Sequence, residues 1–303
     1  MHPTRRTRSA VCGVVVYCVA LLGFGDKSSS ALAFVLARVG ASPQQRCASN
    51  FASKCAISTT TAQDMAKQQQ LPLPSTVKGI LFDMDGTLTD SDTLHFEAYR
   101  ETFLKVTPHF NGGEPISREY YDGWMSGNSN PAIVEKLFPD MPAEDQTALW
   151  KSKEDVYRLI STKMTLLPGL LDFLERCQKM ELAMILVTNA PRLDAVHTLE
   201  VLQLSSRFKE TMVIGYECAR AKPHPDPYLE GLSRLGLRAD SCVAFEDSVN
   251  GVVSAVSAGL YTIGVGEGEG SQSKLQGFGA GLCVADYLDS RLHDALGLDA
   301  SKD

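Results

Sequence analysis

The 303-residue chain is 44% apolar and 21% charged, the balance of an ordinary globular protein, with a formal net charge of −7. That charge is unevenly spread: residues 1–78 hold nine Lys/Arg against Asp26 and Asp64, which leaves 20 basic and 34 acidic residues in 79–303. An acidic body offers no electrostatic footprint for DNA or RNA, and the eight cysteines include no C-x-x-C pair, so the sequence offers no case for nucleic acid and suggests neither a zinc knuckle nor a thioredoxin-like centre.

The chain opens as an address. Arg5, Arg6 and Arg8 precede the apolar stretch 11–24, which is too short to span a bilayer. Small residues follow and end in Ala31-Leu32-Ala33, an A-x-A cleavage pattern that makes residues 1–33 a signal peptide and puts Phe34 first after the cut. No acidic residue occurs from Phe34 to Gln63, where Arg38, Arg46 and Lys54 sit among Ser, Thr and Ala, as in an organelle transit peptide. The pair resembles the two-part plastid leaders of algae with secondary plastids, which implies a plastid destination; ordinary secretion is the alternative. Residues 64–76, with three glutamines and two prolines, read as a linker that closes the 34–76 segment. No stable membrane anchor is expected in the mature protein.

Behind the linker, the first strand-length apolar run, 79–82, ends in Asp83-Met84-Asp85-Gly86-Thr87. Roughly a hundred residues separate it from the next run, far more than one crossover helix needs. Phe96, Tyr99, Phe103 and Val106 share one helical face there, so 91–165 reads as an inserted helical cap, with Leu167-Pro168-Gly169 marking the return. The second run, 183–187, leads into Thr188-Asn189, and Val196, Leu199 and Leu202 give a helix behind Pro191. The third run, 212–214, is followed by a loop reaching Lys222-Pro223. The fourth, 242–245, opens on Cys242, which reads as core, and ends in Glu246-Asp247-Ser248. A fifth run covers 261–263; the glycines of 264–268 read as the loop after it rather than a nucleotide site. Apolar runs alternating with helices predict an α/β fold, a Rossmann-like parallel sheet covered on both faces. The core domain is expected at 77–90 and 166–290, with a tail at 291–303. Ligands of such sheets bind outside the carboxyl ends of the strands, which is where all these polar residues fall.

This set, in this order, resembles the haloacid dehalogenase-like superfamily over residues 78–266. The resemblance implies that Asp83 is the nucleophile that forms an aspartyl phosphate, and that Asp85 is the general acid/base. Thr188 would hold the phosphate with its hydroxyl, helped by Asn189 and the helix behind it. Lys222 would neutralise the nucleophile and the phosphoryl group. Asp83, the Asp85 carbonyl, Glu246 and Asp247 would form an oxygen-only shell for Mg²⁺. An acid two residues after the nucleophile favours phosphoryl transfer over dehalogenation, because a halide leaving group needs no proton.

The insert resembles the small helical cap of the subgroup that contains β-phosphoglucomutase and sugar phosphatases. Residues 124–130 align with the loop where the mutase carries an arginine for a second phosphate; here the position is Asn130. His95 matches a histidine near the hinge, with a solvent-facing residue at a helix start as the alternative reading; His95 and Asn128 join the candidate substrate contacts. Lys153 reads as a solvated helix lysine, and Trp124 and Trp150 as cap core. The whole body is similar to plant-type broad-range sugar phosphatases, which implies a monomeric Mg²⁺-dependent phosphatase of a small phosphorylated metabolite. A sugar-phosphate mutase is the runner-up, and a catalytically silent binding protein the third reading.

A reporter fused to residues 1–75 is expected to enter the plastid of an alga with a secondary plastid, and Phe34→Ala is expected to misroute it. Fluorescence microscopy reads the outcome, and bulk secretion of the unmutated fusion would contradict the plastid reading.

Overall fold

The structure, a computed structural model, describes residues 70–297; the expected signal peptide and all but the last residues of the transit segment lie outside them. Strand β1 (Gly79–Phe82) leads directly into four cap helices: α1 (Asp92–Val106), α2 (Arg118–Trp124), α3 (Asn130–Leu137) and α4 (Ala143–Ile160). The chain then returns through α5 (Leu170–Lys179), β2 (Ala183–Thr188), α6 (Arg192–Val201), α7 (Ser205–Phe208) and β3 (Val213–Ile214). It continues through α8 (Asp226–Leu235), β4 (Cys242–Glu246), α9 (Val249–Ser257), β5 (Tyr261–Val265), α10 (Gly268–Gly277), β6 (Leu282–Val284) and α11 (Ser290–Leu296).

The strands form one six-stranded sheet in the order β3-β2-β1-β4-β5-β6, with every neighbouring pair parallel. Successive side chains of a strand point to opposite faces, and here both faces are buried. Ile80 and Phe82 of β1 join Val243 and Phe245 of β4 in one apolar cluster, whereas Leu81, Cys242 and Ala244 join a second one on the other face. That is why these runs are continuously apolar rather than alternating. The first cluster is closed by Phe173 of α5, Phe208 of α7 and Leu292 of α11, the second by Tyr228 and Leu232 of α8.

Register levels the strand ends. Phe82 lies opposite Leu186 of β2 and Phe245 of β4, so the residues that follow β1, β2 and β4 leave the sheet at one edge. The strand order reverses at β1, where β2 is the neighbour on one side and β4 on the other, the kind of switch point at which α/β sheets open a crevice.

Two expectations need correction. Strand β6 was not foreseen, because three residues behind Gly281 are too short a run to register as a strand. The tail expected from residue 291 is instead helix α11: Leu292 and Leu296, four apart on one face, dock in the core, and the Asp289 side chain caps the helix at the Arg291 amide, 3.0 Å away.

The cap has its own apolar centre, with Phe96, Tyr99, Phe103 and Val106 of α1 packed with Ile133, Val134 and Leu149. Trp124 and Trp150 are packed against this cluster and are partly buried. The two connections to the core are tied together: Leu167 N–H donates to the Leu88 carbonyl at 2.9 Å, and Thr89 Oγ1 to the Thr165 carbonyl at 2.7 Å. Among the described residues no helix is long and apolar enough to cross a membrane.

Phe173 is wholly buried, with its ring edge-on to Phe82 (6.3 Å) and Phe245 (5.4 Å) and 5.0 Å from Tyr287. Phe173→Ala is expected to cost about 3–5 kcal/mol of unfolding free energy, measured by urea titration.

Candidate active site

Asp83 and Asp85 begin where β1 ends. The Asp83 amide still bonds the Phe245 carbonyl at 3.0 Å, and Gly86 then turns the chain, its N–H donating to the Thr89 carbonyl at 2.8 Å. Gly86 has φ +73°, and a Cβ there would stand 2.0 Å from Asp247 Oδ2, so both backbone conformation and space demand glycine.

Lys222 lies at the centre. Its Nζ donates to Asp83 Oδ1 (2.7 Å), Glu246 Oε1 (2.6 Å) and the Val187 carbonyl (2.7 Å), which uses all three ammonium protons. Glu246, wholly buried at the end of β4, also accepts from Tyr228 Oη at 2.6 Å. Ser248, the N-cap of α9, accepts from the Gly251 amide at 3.0 Å and donates to Glu246 Oε2 at 3.4 Å. The Asn189 side chain brackets the Lys222 backbone, donating to its carbonyl (3.1 Å) and accepting from its amide (3.2 Å). Asn189 lines the crevice, but its amide is committed to placing Lys222.

Asp83, Glu246 and Asp247 bring carboxylate oxygens within 4.8 Å of one another. Burial pushes Asp83 up to about 7 despite Lys222, with Glu246 and Asp85 adding to the rise. Asp247 is pushed well above the ordinary carboxylate range, by burial first and then by Asp83, Glu246 and Asp85. One lysine therefore leaves the cluster short of positive charge. An oxygen-only donor set with that deficit fits a hard divalent cation.

Asp85 faces the cap. It accepts from Ser91 Oγ at 2.7 Å, from Tyr157 Oη at 3.5 Å and from His95 Nε2 at 3.4 Å. Burial opposes its ionisation, yet His95, Ser91 and Lys153 hold it below the ordinary carboxylate range. His95 Nδ1 lies 2.7 Å from Lys153 Nζ, and the ring stacks on Tyr157 at 4.1 Å. With Nε2–H turned to Asp85, Nδ1 is free to accept from the ammonium. The solvent-facing alternative for His95 fails.

Lys153 also departs from expectation. It is 2% exposed rather than solvated, bonded to Glu154 Oε1 at 3.0 Å and lying over the rings of Tyr99 and Tyr157. Asn130 is buried, accepts from Tyr99 Oη at 2.6 Å, and donates to Glu154 Oε1. Thr188, at the end of β2, turns its Oγ1 to accept from the Ala190 amide at 2.9 Å. Asn128 donates to the Trp124 carbonyl and meets Asn250 of the core at 3.5 Å.

Core and cap enclose a crevice of about 830 Å³ that Asp83, Asp85, Thr188, Lys222, Asp247 and Glu154 all line. The cap is closed on it: Asn250 Nδ2 donates to the Gly127 carbonyl at 2.8 Å, Trp150 stacks on Tyr216 at 6.4 Å, and Arg158 pairs with Asp194. Sequence reasoning missed Ser91, Tyr157, Tyr228 and Glu154. Tyr157 alone left a trace, standing four residues after Lys153 on the same face of α4.

Comparison with known proteins places the site in context. The model of the haloacid dehalogenase-like hydrolases matches residues 77–259, more than half of the chain. The "Phosphorylated carbohydrates phosphatase" of Thermotoga maritima is 31% identical over 192 residues, covering 62% of this chain and 84% of that protein. The "Beta-phosphoglucomutase" of Bacillus subtilis is 26% identical over 205 residues, covering 64% and 85%. Among solved structures, a family IA, variant 3 hydrolase from Entamoeba histolytica superposes with a TM-score of 0.65 at 24% identity, covering 73% of this chain and 99% of that one.

A Cβ on Gly251 would lie 1.8 Å from Glu246 Oε2, with the carboxyl carbon at 2.0 Å, so the whole carboxylate would have to move. Gly251→Ala is expected to lose about 1–3 kcal/mol of stability by denaturant titration. A variant as stable as the parent would show that the grip of Glu246 on Lys222 is loose.

Proposed function

The chain belongs to the haloacid dehalogenase-like hydrolases, and we propose that it is a Mg²⁺-dependent phosphatase of small hydroxylated metabolites, sugar phosphates above all, that works through an aspartyl phosphate. The observation that carries this reading is Lys222 bonded at once to Asp83 and Glu246, beside Asp247 and with Asp85 two residues on, in one closed crevice. The phosphatase name of the Thermotoga relative supports the same reaction class.

In the proposed reaction Asp83 attacks phosphorus, a P–O bond to the substrate breaks, and the leaving oxygen takes a proton from Asp85. Water then attacks the phosphorus of the aspartyl phosphate, Asp85 takes its proton, and Asp83 is freed with release of inorganic phosphate. Lys222 orients Asp83 through its Oδ1 and offsets charge on the transferring group, while the Thr188 hydroxyl, which accepts from the Ala190 amide, would donate its proton to the phosphate. Contacts of the cap with a bound substrate would exclude bulk water from the crevice. Asp83, Asp247, Glu246 and the Asp85 carbonyl would hold Mg²⁺, which supplies charge compensation for a phosphate dianion approaching a carboxylate. The mutase reading needs a cap cation for a second phosphate. Lys153 is the cation the cap supplies near Asn130, and its charge is matched by Glu154. A plastid destination rests on the leader composition.

Asp83→Asn keeps volume and removes the nucleophile, so it is expected to abolish phosphate release from p-nitrophenyl phosphate, and more than trace turnover by a folded variant would sink the assignment. Mg²⁺ at about 100 times its Kd should stabilise the wild type by about 2.7 kcal/mol, read as a rise in melting temperature. Asp247→Asn is expected to lose most of that rise; an undiminished rise would place the ion elsewhere.

A further inference from the structure

The ammonium of Lys222 is shared between two carboxylates, and the proposed reaction takes one of them away. In the acyl phosphate one Asp83 oxygen is bonded to phosphorus and the carboxylate has lost its charge. Whichever oxygen Lys222 then faces is a weaker acceptor than the ionised Oδ1 it holds at 2.7 Å. Two partners of the ammonium remain, Glu246 Oε1 at 2.6 Å and the neutral Val187 carbonyl at 2.7 Å. Glu246 is therefore the anion bound to Lys222 that keeps its charge through both steps. What holds Glu246 decides where the ammonium points.

Tyr228 supplies that hold. It lies in the first turn of α8, which begins just after the Lys222-Pro223 loop, and it is wholly buried in the apolar cluster of Leu81, Val187 and Leu232. Its Oη donates at 2.6 Å to Glu246 Oε1, the same oxygen that Lys222 Nζ bonds, and its ring centroid is 4.9 Å from that nitrogen. Burial first, and then the charge of Glu246, push the phenol well above its ordinary range, so it stays a donor. Ser248 reaches the other oxygen, Oε2, at 3.4 Å, a far longer bond. A short bond from a buried hydroxyl to a carboxylate is the charge-assisted, strong kind.

We propose that Tyr228 is a positioning residue for phosphoryl transfer, which holds Glu246 so that Lys222 stays aimed at the phosphoryl group once Asp83 has become an acyl phosphate. This deepens the phosphatase reading and rests on it. In the first step a lone pair of Asp83 forms the bond to phosphorus, the bond to the leaving oxygen breaks, and that oxygen takes a proton from Asp85. In the second, water attacks phosphorus, its proton passes to Asp85, and the bond to Asp83 breaks with its electron pair returning to the carboxylate. Asp83 steadies Lys222 at the start of the first step but not at the start of the second. Loss of the Tyr228 hydroxyl therefore falls more heavily on hydrolysis of the acyl phosphate than on its formation.

The test compares the wild type with Tyr228→Phe, which keeps the buried ring and removes the hydroxyl, on p-nitrophenyl phosphate and glucose 6-phosphate with Mg²⁺. Rapid quench and mass spectrometry of the intact chain follow the phosphorylated enzyme. Hydrolysis of the acyl phosphate is expected to slow by about tenfold in the variant, and its formation by less than about threefold. In the steady state kcat and KM then fall together, and a larger fraction of the chain carries the phosphoryl group. Loss of folded protein would instead lower kcat at constant KM. Equal slowing of the two steps, or no slowing of either, overturns the proposal. Should the variant fail to fold, a crystal structure of the wild type with Mg²⁺ and beryllofluoride, a mimic of a phosphoryl group on aspartate, decides the matter. Tyr228 and Lys222 should both remain on Glu246 Oε1, with the ammonium turned from Asp83 to a fluoride; an ammonium that has released Glu246 overturns the proposal. Absence of Mg²⁺-dependent phosphate release from both esters by the wild type instead overturns the phosphatase reading, and this inference with it.

Discussion

The buried ammonium of Lys222 is the constraint around which the rest of the site is arranged. It joins the ends of three strands: Asp83 after β1, the Val187 carbonyl of β2, and Glu246 of β4. Removing a cation from water is expensive, and it is tolerated only when every proton has an acceptor and the charge is met. Here three acceptors meet three donors. Around Lys222, Glu246 is fixed from its other side by Tyr228 and Ser248, and the Lys222 backbone is fixed by Asn189. The aromatic cluster of Phe82, Phe245, Phe173 and Tyr287 packs beneath the same strand ends.

The same lysine leaves the site incomplete. Asp83, Asp85, Glu246 and Asp247 converge on one cation, and burial first, then their mutual repulsion, pushes the carboxyl groups of Asp83 and Asp247 toward the neutral form. Asp85 escapes this fate, against its burial, because His95, Ser91 and the charge of Lys153 favour its ionised form. The environment thus sets two aspartates, separated by one residue in sequence, in opposite directions. A divalent cation held by Asp83 would return it to the ionised form that attack on phosphorus needs, while the low setting of Asp85 keeps it ionised for its step as base toward water.

The cap is therefore part of the chemistry as well as a cover. Its link to Asp85 through His95 exists only when α1 and α4 are seated on the core, and the Arg158–Asp194 pair, the Trp150–Tyr216 stack and the Asn250 contact hold them there. Opening the cap would break that relay, so access to the crevice and the setting of Asp85 belong to one motion.

The sequence by itself determined the strands that carry the site and the order of their polar ends, because continuous apolar runs followed at once by Asp83-Met84-Asp85, Thr188-Asn189 and Glu246-Asp247 encode both a doubly covered sheet and what protrudes from its edge. It also announced the cap face of Phe96, Tyr99, Phe103 and Val106, since helical periodicity is a local property. Lys153, Glu154 and Tyr228 were beyond its reach. A lysine and a glutamate side by side on a helix read as solvated charge, and only the approach of His95 from α1 and Asn130 from α3 supplies the partners that make their burial affordable. Strand β6 and helix α11 likewise take their identity from the sheet edge and the apolar face on which they dock. Local pattern fixes which groups a chain offers; the cost of burying charge makes their roles depend on neighbours that only the tertiary structure brings within hydrogen-bonding distance.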